Sequence, residues 1–133
     1  MVIKRFEDIR AWQEARALTK QIYSLPMASP GLRRDRPLRD QLQAASASIM
    51  SNIVEGFSRR TAKELTQFPF VAKSSAAEVQ SLLCVAVDQY FVGERDFSEL
   101  YGMADEVARI ISGFITSLMR PSGALRLNNS ITQ

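Results

Sequence analysis

Apolar residues recur at intervals of three and four positions along most of the chain, and this spacing restricts the fold more than any other feature of the sequence. In the first such segment, about Glu7 to Leu25, the recurring residues are Ala11, Ala15, Leu18, Ile22 and Leu25. The spacing places them on one face of an α-helix, and Trp12 and Tyr23 widen that face. No convincing strand alternation or internal repeat is present, so the sequence predicts an all-α protein.

Four helical segments are predicted, and turn or capping residues bound each of them. The segments run from about Glu7 to Leu25, Pro37 to Glu55, Thr61 to Phe91 and Phe97 to Met119. Pro26 is expected to end the first helix, with residues 26–37 forming a loop. Asp35 is expected to cap the second helix, and Gly56 is expected to end it in a left-handed conformation.

The third and fourth segments have their own start and stop signals. Thr61 to Glu64 forms a capping box, Asp96 to Glu99 repeats that pattern before the fourth helix, and Gly93 is expected to end the third. Pro69 removes a backbone donor inside the third helix, which predicts a kink or a break near Phe68. The predicted buried faces are Leu65, Phe68, Ala72, Ser75, Val79, Leu82 and Ala86 in the third helix and Leu100, Ala104, Val107, Ile111, Phe114 and Leu118 in the fourth.

Four amphipathic segments joined by short connections favour an antiparallel up-and-down four-helix bundle. The chain of 133 residues suits a single domain, which we expect to cover residues 1–120. The stretch 121–133 is rich in Pro, Gly, Asn and Ser and is expected to be a flexible C-terminal tail. Other all-α packings of the same helices are the alternative.

The composition excludes several kinds of site and location. The sequence has no histidine, which removes the commonest general base and the commonest nitrogen ligand for metals, and no metal or cofactor site is predicted. The one cysteine, Cys84, lies in the apolar run SLLCVAV and is expected to be a buried, inert thiol. The first residues lack the apolar core of a signal peptide, and no run approaches the roughly 20 apolar residues of a membrane helix. We therefore expect a cytoplasmic protein with no membrane partner.

Positive charge is concentrated in the first half of the chain. Residues 1–63 contain 12 Lys and Arg against 6 Asp and Glu, whereas residues 64–133 contain 5 against 8. The two basic clusters are Arg33, Arg34, Arg36 and Arg39, and then Arg59, Arg60 and Lys63. Such clusters are typical of phosphate-binding surfaces. The alternative is that these cations only solvate a loop and two helix ends.

A polar line crosses the otherwise apolar second segment. Gln41, Ser48, Asn52 and Glu55 fall within about 80° of one another on a helical wheel. Apolar residues flank the line on one side and small residues such as Ala44 on the other, which indicates burial on two sides. We interpret the line as a hydrogen-bond network that fixes helix register, with direct contact to a ligand as the alternative. Because no base is evident within reach of Ser48, no catalytic residue is predicted.

At these positions the chain resembles a known family. The pattern S-I-x-x-N-I-x-E-G, from Ser48 to Gly56, is similar to the central signature of the four-helix-bundle proteins associated with intervening sequences in 23S ribosomal RNA genes. Further matching positions are Phe6, Trp12 and Ala15 in the first segment, Leu38 and Gln41 in L-x-x-Q, and Ser75 and Glu78 in S-x-x-E. The chain differs from the family pattern in its basic SPGLRRDRP loop, in Ser74 where glycine is frequent, and in Pro69.

The resemblance implies an antiparallel four-helix bundle that assembles as a homopentameric ring and has no established enzymatic activity. The accessory variability proteins of diversity-generating retroelements are similar: they are basic pentamers that bind nucleic acid and a reverse transcriptase. On this basis we expect a non-enzymatic oligomer that binds nucleic acid, RNA or DNA with RNA favoured, through the two arginine-rich clusters. The rival hypothesis is a ring that acts as a scaffold for a protein partner without binding nucleic acid, and an enzyme ranks third.

Overall fold

The computed structural model describes residues 4–58 and 62–118, with the side chains of 62–66, 117 and 118 left out of that description. This part of the chain folds into helices and short connections and contains no strand, which confirms the all-α prediction. The elements are a 3-10 turn, Phe6–Asp8, and the helices α1, Arg10–Ala28; α2, Pro30–Arg34; α3, Arg36–Ser58; α4, Ala62–Asp88; and α5, Glu94–Leu118.

The four long helices enclose one apolar core. Helix α1 packs against α3 and α5, and α4 packs against the same two helices. The largest fully buried apolar side chains are Leu18, Ile22, Leu32, Leu42, Ile49, Val79, Leu83, Leu100 and Val107. Burying a side chain of this size contributes roughly 1.5–3 kcal/mol, so these positions hold the bundle together.

The connection between α1 and α3 differs from the predicted loop. Pro26 does not end α1; it lies buried inside the helix, which continues to Ala28. The missing N–H of Pro26 leaves one helical hydrogen bond unmade, and only two residues of α1 follow it. The chain then forms the short helix α2, with Pro30 at its first position and the Ser29 hydroxyl accepting from the amide of Leu32 at 3.2 Å.

Helix α3 begins as expected and ends later than expected. The Asp35 carboxylate accepts a hydrogen bond from the amide of Leu38 at 3.2 Å, which confirms the predicted cap. The prediction that Gly56 ends the helix in a left-handed conformation is wrong, because Gly56 is buried inside α3 and its φ is not positive. A Cβ at Gly56 would lie 3.3 Å from the Cβ of Phe68, so this glycine lets α3 and α4 approach each other closely.

Helix α4 runs through Pro69 without a break, so of the predicted kink or break near Phe68 the break is excluded. It ends at Asp88, earlier than expected, in a motif in which the amide of Phe91 binds the carbonyl of Ala86 at 2.9 Å. In that motif Tyr90 has the left-handed φ of 60° that usually belongs to glycine.

The start and the buried face of α5 also differ from the expectation, and two expected features fall outside the described residues. The capping box from Thr61 to Glu64 and the tail 121–133 lie outside the residues and side chains that the structure describes. Helix α5 begins at Glu94, and the amide of Phe97 binds the carbonyl of Gly93, so Asp96 lies inside the first turn and does not cap the helix. Ile115 takes the buried position predicted for Phe114, which is 37% exposed.

Two further expectations about α4 differ from the structure, one on its hydropathy and one on the burial of Cys84. The 22-residue stretch Gln67–Asp88 contains a window of 18 residues with a mean hydropathy of 1.3, so by length and composition it could span a membrane, although we expected no such segment. A core helix of a soluble protein can meet the same criterion, but only 33% of this window is buried. Cys84 is exposed on this helix, so the prediction of a buried thiol is wrong.

Candidate nucleic-acid interface and polar seam

The corner where α2 meets α3 carries the first basic cluster and is firmly anchored to the bundle. Leu32 of α2 is only 1% exposed, and Ser29 caps the helix. Gly31 lies so close to the ring of Phe91 that a Cβ there would be 2.5 Å from two ring atoms. The short helix therefore presents its remaining side chains from a fixed position. We call Arg33, Arg34, Arg36 and Arg39 the arginine corner.

Two arginines of the corner donate hydrogen bonds to carbonyls at the ends of helices. The Arg33 guanidinium donates to the carbonyls of Pro26, at 3.0 Å, and Met27, at 3.4 Å, in the last turn of α1. Arg39 donates to the carbonyl of Arg33 at 3.0 Å and forms an ion pair with Asp40 at 3.1 Å. Cationic donors stabilise such carbonyls, because the C-terminal end of a helix has unpaired acceptors and a negative dipole end. Arg33 and Arg39 thus stabilise the corner itself.

The other two arginines of the corner are available to a ligand. Arg34 and Arg36 are exposed, and neither forms an ion pair or a side-chain hydrogen bond within the described part of the chain. A guanidinium has five N–H donors in a planar fork that matches phosphate oxygens. The structure therefore separates the predicted cluster into two arginines that hold the backbone and two whose donors face solvent.

The second predicted cluster cannot be described in the same way. Arg59 and Arg60 lie outside the described residues, and the side chain of Lys63 is also outside them. Helix α3 separates the arginine corner at its start from Ser58 at its end. Its 23 residues span roughly 34 Å at 1.5 Å per residue. The arginine corner therefore lies at one end of the long axis of the bundle.

The polar line of α3 becomes a seam between α3 and α4. The hydroxyls of Ser48 and Ser75 lie 3.0 Å apart, and the Asn52 amide donates to the Ser48 carbonyl at 2.8 Å and to its hydroxyl at 3.1 Å. Ser48 and Asn52 are half-buried and Ser75 is buried. Gln41 and Glu55 are exposed at the two ends of the line, and the side chain of Gln41 forms no hydrogen bond with the described residues.

Ser75 is the hydrogen-bond partner of Ser48 that the sequence pattern of α3 did not predict. Its signal was its place in S-x-x-E, but a pattern within one helix does not tell which helix lies opposite. Chemically the seam is a closed set of hydroxyl and amide groups, and neither Ser75 nor Asn52 can act as a base toward Ser48. Within the residues searched, no three Cys, Asp or Glu side chains lie close enough together to hold a metal ion.

An apolar cavity of about 160 Å³ lies at the end of the bundle away from the arginine corner. Its lining residues are Ile9, Arg10, Ala11, Ile53, Gly56, Phe57, Pro69, Ile110, Ile111 and Phe114. These positions come from the beginning of α1, the end of α3, the first turns of α4 and the last turns of α5. The surface of the cavity is almost entirely hydrocarbon. Arg10 is the charged residue of the lining, and its guanidinium pairs with Glu106 at 3.2 Å.

Comparison with known protein families gives a match that covers most of the described helices. The family model described as 23S rRNA-intervening sequence protein matches residues 7–113. The chain belongs to this family. The match includes α1, α2, α3, α4 and most of α5, and it confirms the resemblance carried by Ser48, Asn52 and Gly56. Comparison with curated proteins finds no match. Membership gives the chain a family but no activity or ligand.

Proposed function

We propose that the four long helices form an antiparallel up-and-down bundle. Ser48 of α3 contacts Ser75 of α4, and Gly56, eight residues later in α3, approaches Phe68, seven residues earlier in α4. The two helices therefore run in opposite directions. The apolar cavity supports the same alternation for all four, because helix starts and helix ends meet there in turn.

We further propose that the protein is a homo-oligomer, a pentamer by analogy with the resemblance noted in the sequence, and that the outer face of α4 lies in its interface. Phe70, Ser74, Ala77 and Ser81 follow one another at intervals of four, three and four, and all are exposed in the single chain. Val85 continues the face and is 45% exposed. A helix with apolar or small residues on both sides is typical of burial on two sides, and small residues allow a second helix to approach closely.

Another protein surface suits this face better than lipid does. Lys73 and Glu78 are both exposed near the middle of the hydropathic stretch. Charged side chains in the centre of a membrane span are costly, whereas at a protein interface they can reach the rim and remain hydrated. The occupant that we propose is therefore a second copy of this chain.

The function that we propose is non-enzymatic binding of nucleic acid, with RNA favoured over DNA. The observation that carries the proposal is the pair Arg34 and Arg36, two exposed guanidinium groups on a corner that Arg33 and Arg39 stabilise. Neither guanidinium has a partner among residues 4–58 and 62–118. Anchored arginines of this kind suit the phosphates of a nucleic acid backbone, which are read without regard to base identity. Assembly would repeat the corner on each subunit, and repeated weak sites can raise avidity by about 10²–10⁴.

A protein-interaction scaffold is the second candidate, and the apolar outer face of α4 is the observation that favours it. In that case the exposed α4 face would bind a partner protein and the arginine corner would serve only solubility. The two candidates differ in what happens when the corner is changed without altering assembly.

The test is fluorescence anisotropy of labelled structured RNA and duplex DNA titrated with wild-type protein and with the double variant Arg34→Glu/Arg36→Glu. The matched control is Arg95→Glu/Arg109→Glu, which makes the same change in charge on α5. We expect the corner variant to bind at least about tenfold more weakly at low salt and to lose about 1.4–1.8 from the slope of log K against log salt, because two phosphate contacts disappear.

Light scattering should give the same assembly for wild type, corner variant and control, so that loss of binding is not loss of the oligomer. Equal weakening by the corner variant and the control would show that only net charge matters. Absence of binding by the wild-type protein even at low salt would remove the proposal and leave the scaffold candidate.

A further inference from the structure

One exposed line of α1 leads directly to the arginine corner and has no assigned role. Arg16, Lys20, Tyr23 and Met27 are separated by four, three and four positions, so they lie within about 60° of one another on the helix. All four are exposed, Tyr23 by 50% and Met27 by 82%. The expectation that Tyr23 widens the core-facing side of α1 is therefore wrong. We call these four residues the α1 line. It spans roughly 16 Å, and at its far end the carbonyl of Met27 is bound by Arg33.

The two cations of the α1 line lie beside one groove and are not neutralised within the described chain. The Arg16 guanidinium lies 5.6 Å from the centroid of the Trp12 ring, which fixes its position beside a shallow groove that also includes Lys20 and Met50. Neither Arg16 nor Lys20 pairs with a carboxylate in the described chain. Like charges four residues apart on a helix repel each other, so their placement favours an anion that lies across both.

The one carboxylate in that groove is already engaged. Glu7 accepts a hydrogen bond from Arg5 at 2.8 Å, and this bond holds the pKa of the Glu7 carboxyl below its usual range. Arg5 therefore offsets Glu7, and the charge of Arg16 and Lys20 remains. The groove is consequently positive where the α1 line begins, and the line ends at the arginine corner, where Arg33 binds the Met27 carbonyl.

Tyr23 lies between these two cationic ends and adds an exposed aromatic ring to the line. Binding of phosphates alone does not require such a ring. Half of its surface is exposed on a helix whose opposite face is packed in the core, so its ring is presented on a rigid element. An exposed aromatic ring between cations can stack with an unpaired base, as in proteins that bind single strands. A base in a duplex has no free face for such a contact.

We infer that the α1 line binds a single-stranded segment of nucleic acid, with Arg16 and Lys20 on its phosphates, Tyr23 against one base, and the strand continuing to Arg34 and Arg36. The inference rests on the proposed function and adds that the ligand is unpaired where it contacts α1. A length of about 16 Å accommodates several phosphates of one strand.

The experiment compares a fluorescein-labelled, unstructured 12-nucleotide RNA with a duplex of the same sequence. The variants are Arg16→Glu/Lys20→Glu, Tyr23→Ala and Tyr23→Phe, with Arg95→Glu/Arg109→Glu as the control for charge. We expect Arg16→Glu/Lys20→Glu to weaken binding of the single strand about tenfold or more and to reduce its salt slope by about 1.4, as the loss of two contacts requires. Tyr23→Ala should weaken binding of the single strand by about five- to 100-fold and leave duplex binding unchanged, while Tyr23→Phe keeps the ring and the affinity.

The outcomes separate this inference from the proposed function. If Arg34→Glu/Arg36→Glu weakens binding while Arg16→Glu/Lys20→Glu and Tyr23→Ala do not, the arginine corner binds nucleic acid and the α1 line does not. If Tyr23→Ala weakens single strand and duplex equally, no base stacks on Tyr23 and the inference is overturned. If the wild-type protein binds neither probe at low salt, the proposed function fails together with this inference. All substituted residues are exposed, and circular dichroism and thermal melting check that each variant is folded.

Discussion

Helices α4 and α5 are neighbours of nearly equal length, 27 and 25 residues, but their outward faces differ. The outer side of α5 carries charged residues, and Arg109 pairs with Asp105 at 3.5 Å and with Glu106 at 2.8 Å one turn away. The outer side of α4 is mostly small or apolar, as at Phe70, Ala77 and Val85. Both helices bury a regular apolar stripe in the same core.

The difference shows that the inward stripe alone does not tell how a bundle helix is used. Ion pairs within one helix contribute only about 0.3–0.5 kcal/mol each, but they keep the outer side of α5 compatible with water. Helix α4 has no comparable charged pattern between Phe70 and Val85, although single charges occur at Lys73 and Glu78. We therefore interpret α5 as a helix with one buried side and α4 as a helix whose outer side is also buried in the proposed oligomer.

The largest expected effect of this difference is on assembly. Ala77→Arg places a long cation in the middle of the outer face of α4, and we expect it to convert the oligomer, about five times the 14.9 kDa chain if pentameric, into monomer. Gly102→Arg is the matched control on α5, because Gly102 is exposed and a Cβ there meets nothing within 4 Å. Light scattering and analytical ultracentrifugation measure the mass of each variant.

The rate at which a thiol reagent modifies Cys84 tests the same interface independently. Cys84 is the sole cysteine and is exposed on α4 in the single chain, so a thiol reagent should modify it slowly in the assembled protein and rapidly in Ala77→Arg. Rapid modification of Cys84 in a wild-type protein that is oligomeric by light scattering would place the interface elsewhere and remove the distinction between the two helices.

Substitutions on the core-facing sides of α4 and α5 should lower the free energy of unfolding by similar amounts. Leu83 of α4 and Leu100 of α5 are 0% and 2% exposed, and we expect Leu83→Ala and Leu100→Ala each to lower the free energy of unfolding by about 2–5 kcal/mol. Urea denaturation in the Ala77→Arg background measures both without a contribution from dissociation. A loss below about 1 kcal/mol at either position would mean that its side of the core is loosely packed.

The glycines give a smaller contrast between a helix that touches a neighbour and one that faces solvent. Gly113→Ala in α5 should stabilise the protein by up to about 1 kcal/mol, because alanine has the higher helix propensity and a Cβ there meets nothing within 4 Å. Gly56→Ala should lose that gain and destabilise, because its Cβ would lie 3.3 Å from the Cβ of Phe68, which moves only with the α4 backbone. Thermal melting of both variants shows the sign, and equal stabilisation by the two substitutions would mean that α4 can shift away from Gly56.

The sequence predicted the inward side of the helices well and their ends poorly. Periodicity determines which residues face the core, so Leu18, Ile49 and Val107 could be assigned to it without a structure. Helix ends depend on tertiary packing as well as on local residues. Pro26 stays helical and is buried in the core although it has no N–H, and Gly56 stays helical where α4 packs closely against it. Neither effect is visible in one segment alone.

The candidate site shows the same limit. The arginine corner could be found by counting charges, but its division into Arg33 and Arg39, which bind helix carbonyls, and Arg34 and Arg36, which do not, depends on where α1 ends. Likewise Ser48 and Asn52 could be placed on one line, but Ser75 becomes their partner only through the pairing of α3 with α4. Composition and periodicity supply candidates, and tertiary contacts decide which of them are available to a ligand.

The smallest effect concerns the turn that separates α4 from α5. Tyr90 has a φ of 60° and is 94% exposed, so it carries the cost of a left-handed conformation without burying its ring. Tyr90→Gly should therefore stabilise the protein by about 0.5–1 kcal/mol, since glycine adopts this conformation without a Cβ clash. Tyr90→Ala removes the ring but keeps the Cβ, and it should leave the melting temperature nearly unchanged. If Tyr90→Ala stabilised as much as Tyr90→Gly, the ring and not the backbone would be the source of the cost, and if Tyr90→Gly destabilised, the ring would be making a contact in the assembled protein that joins this turn to a neighbouring copy.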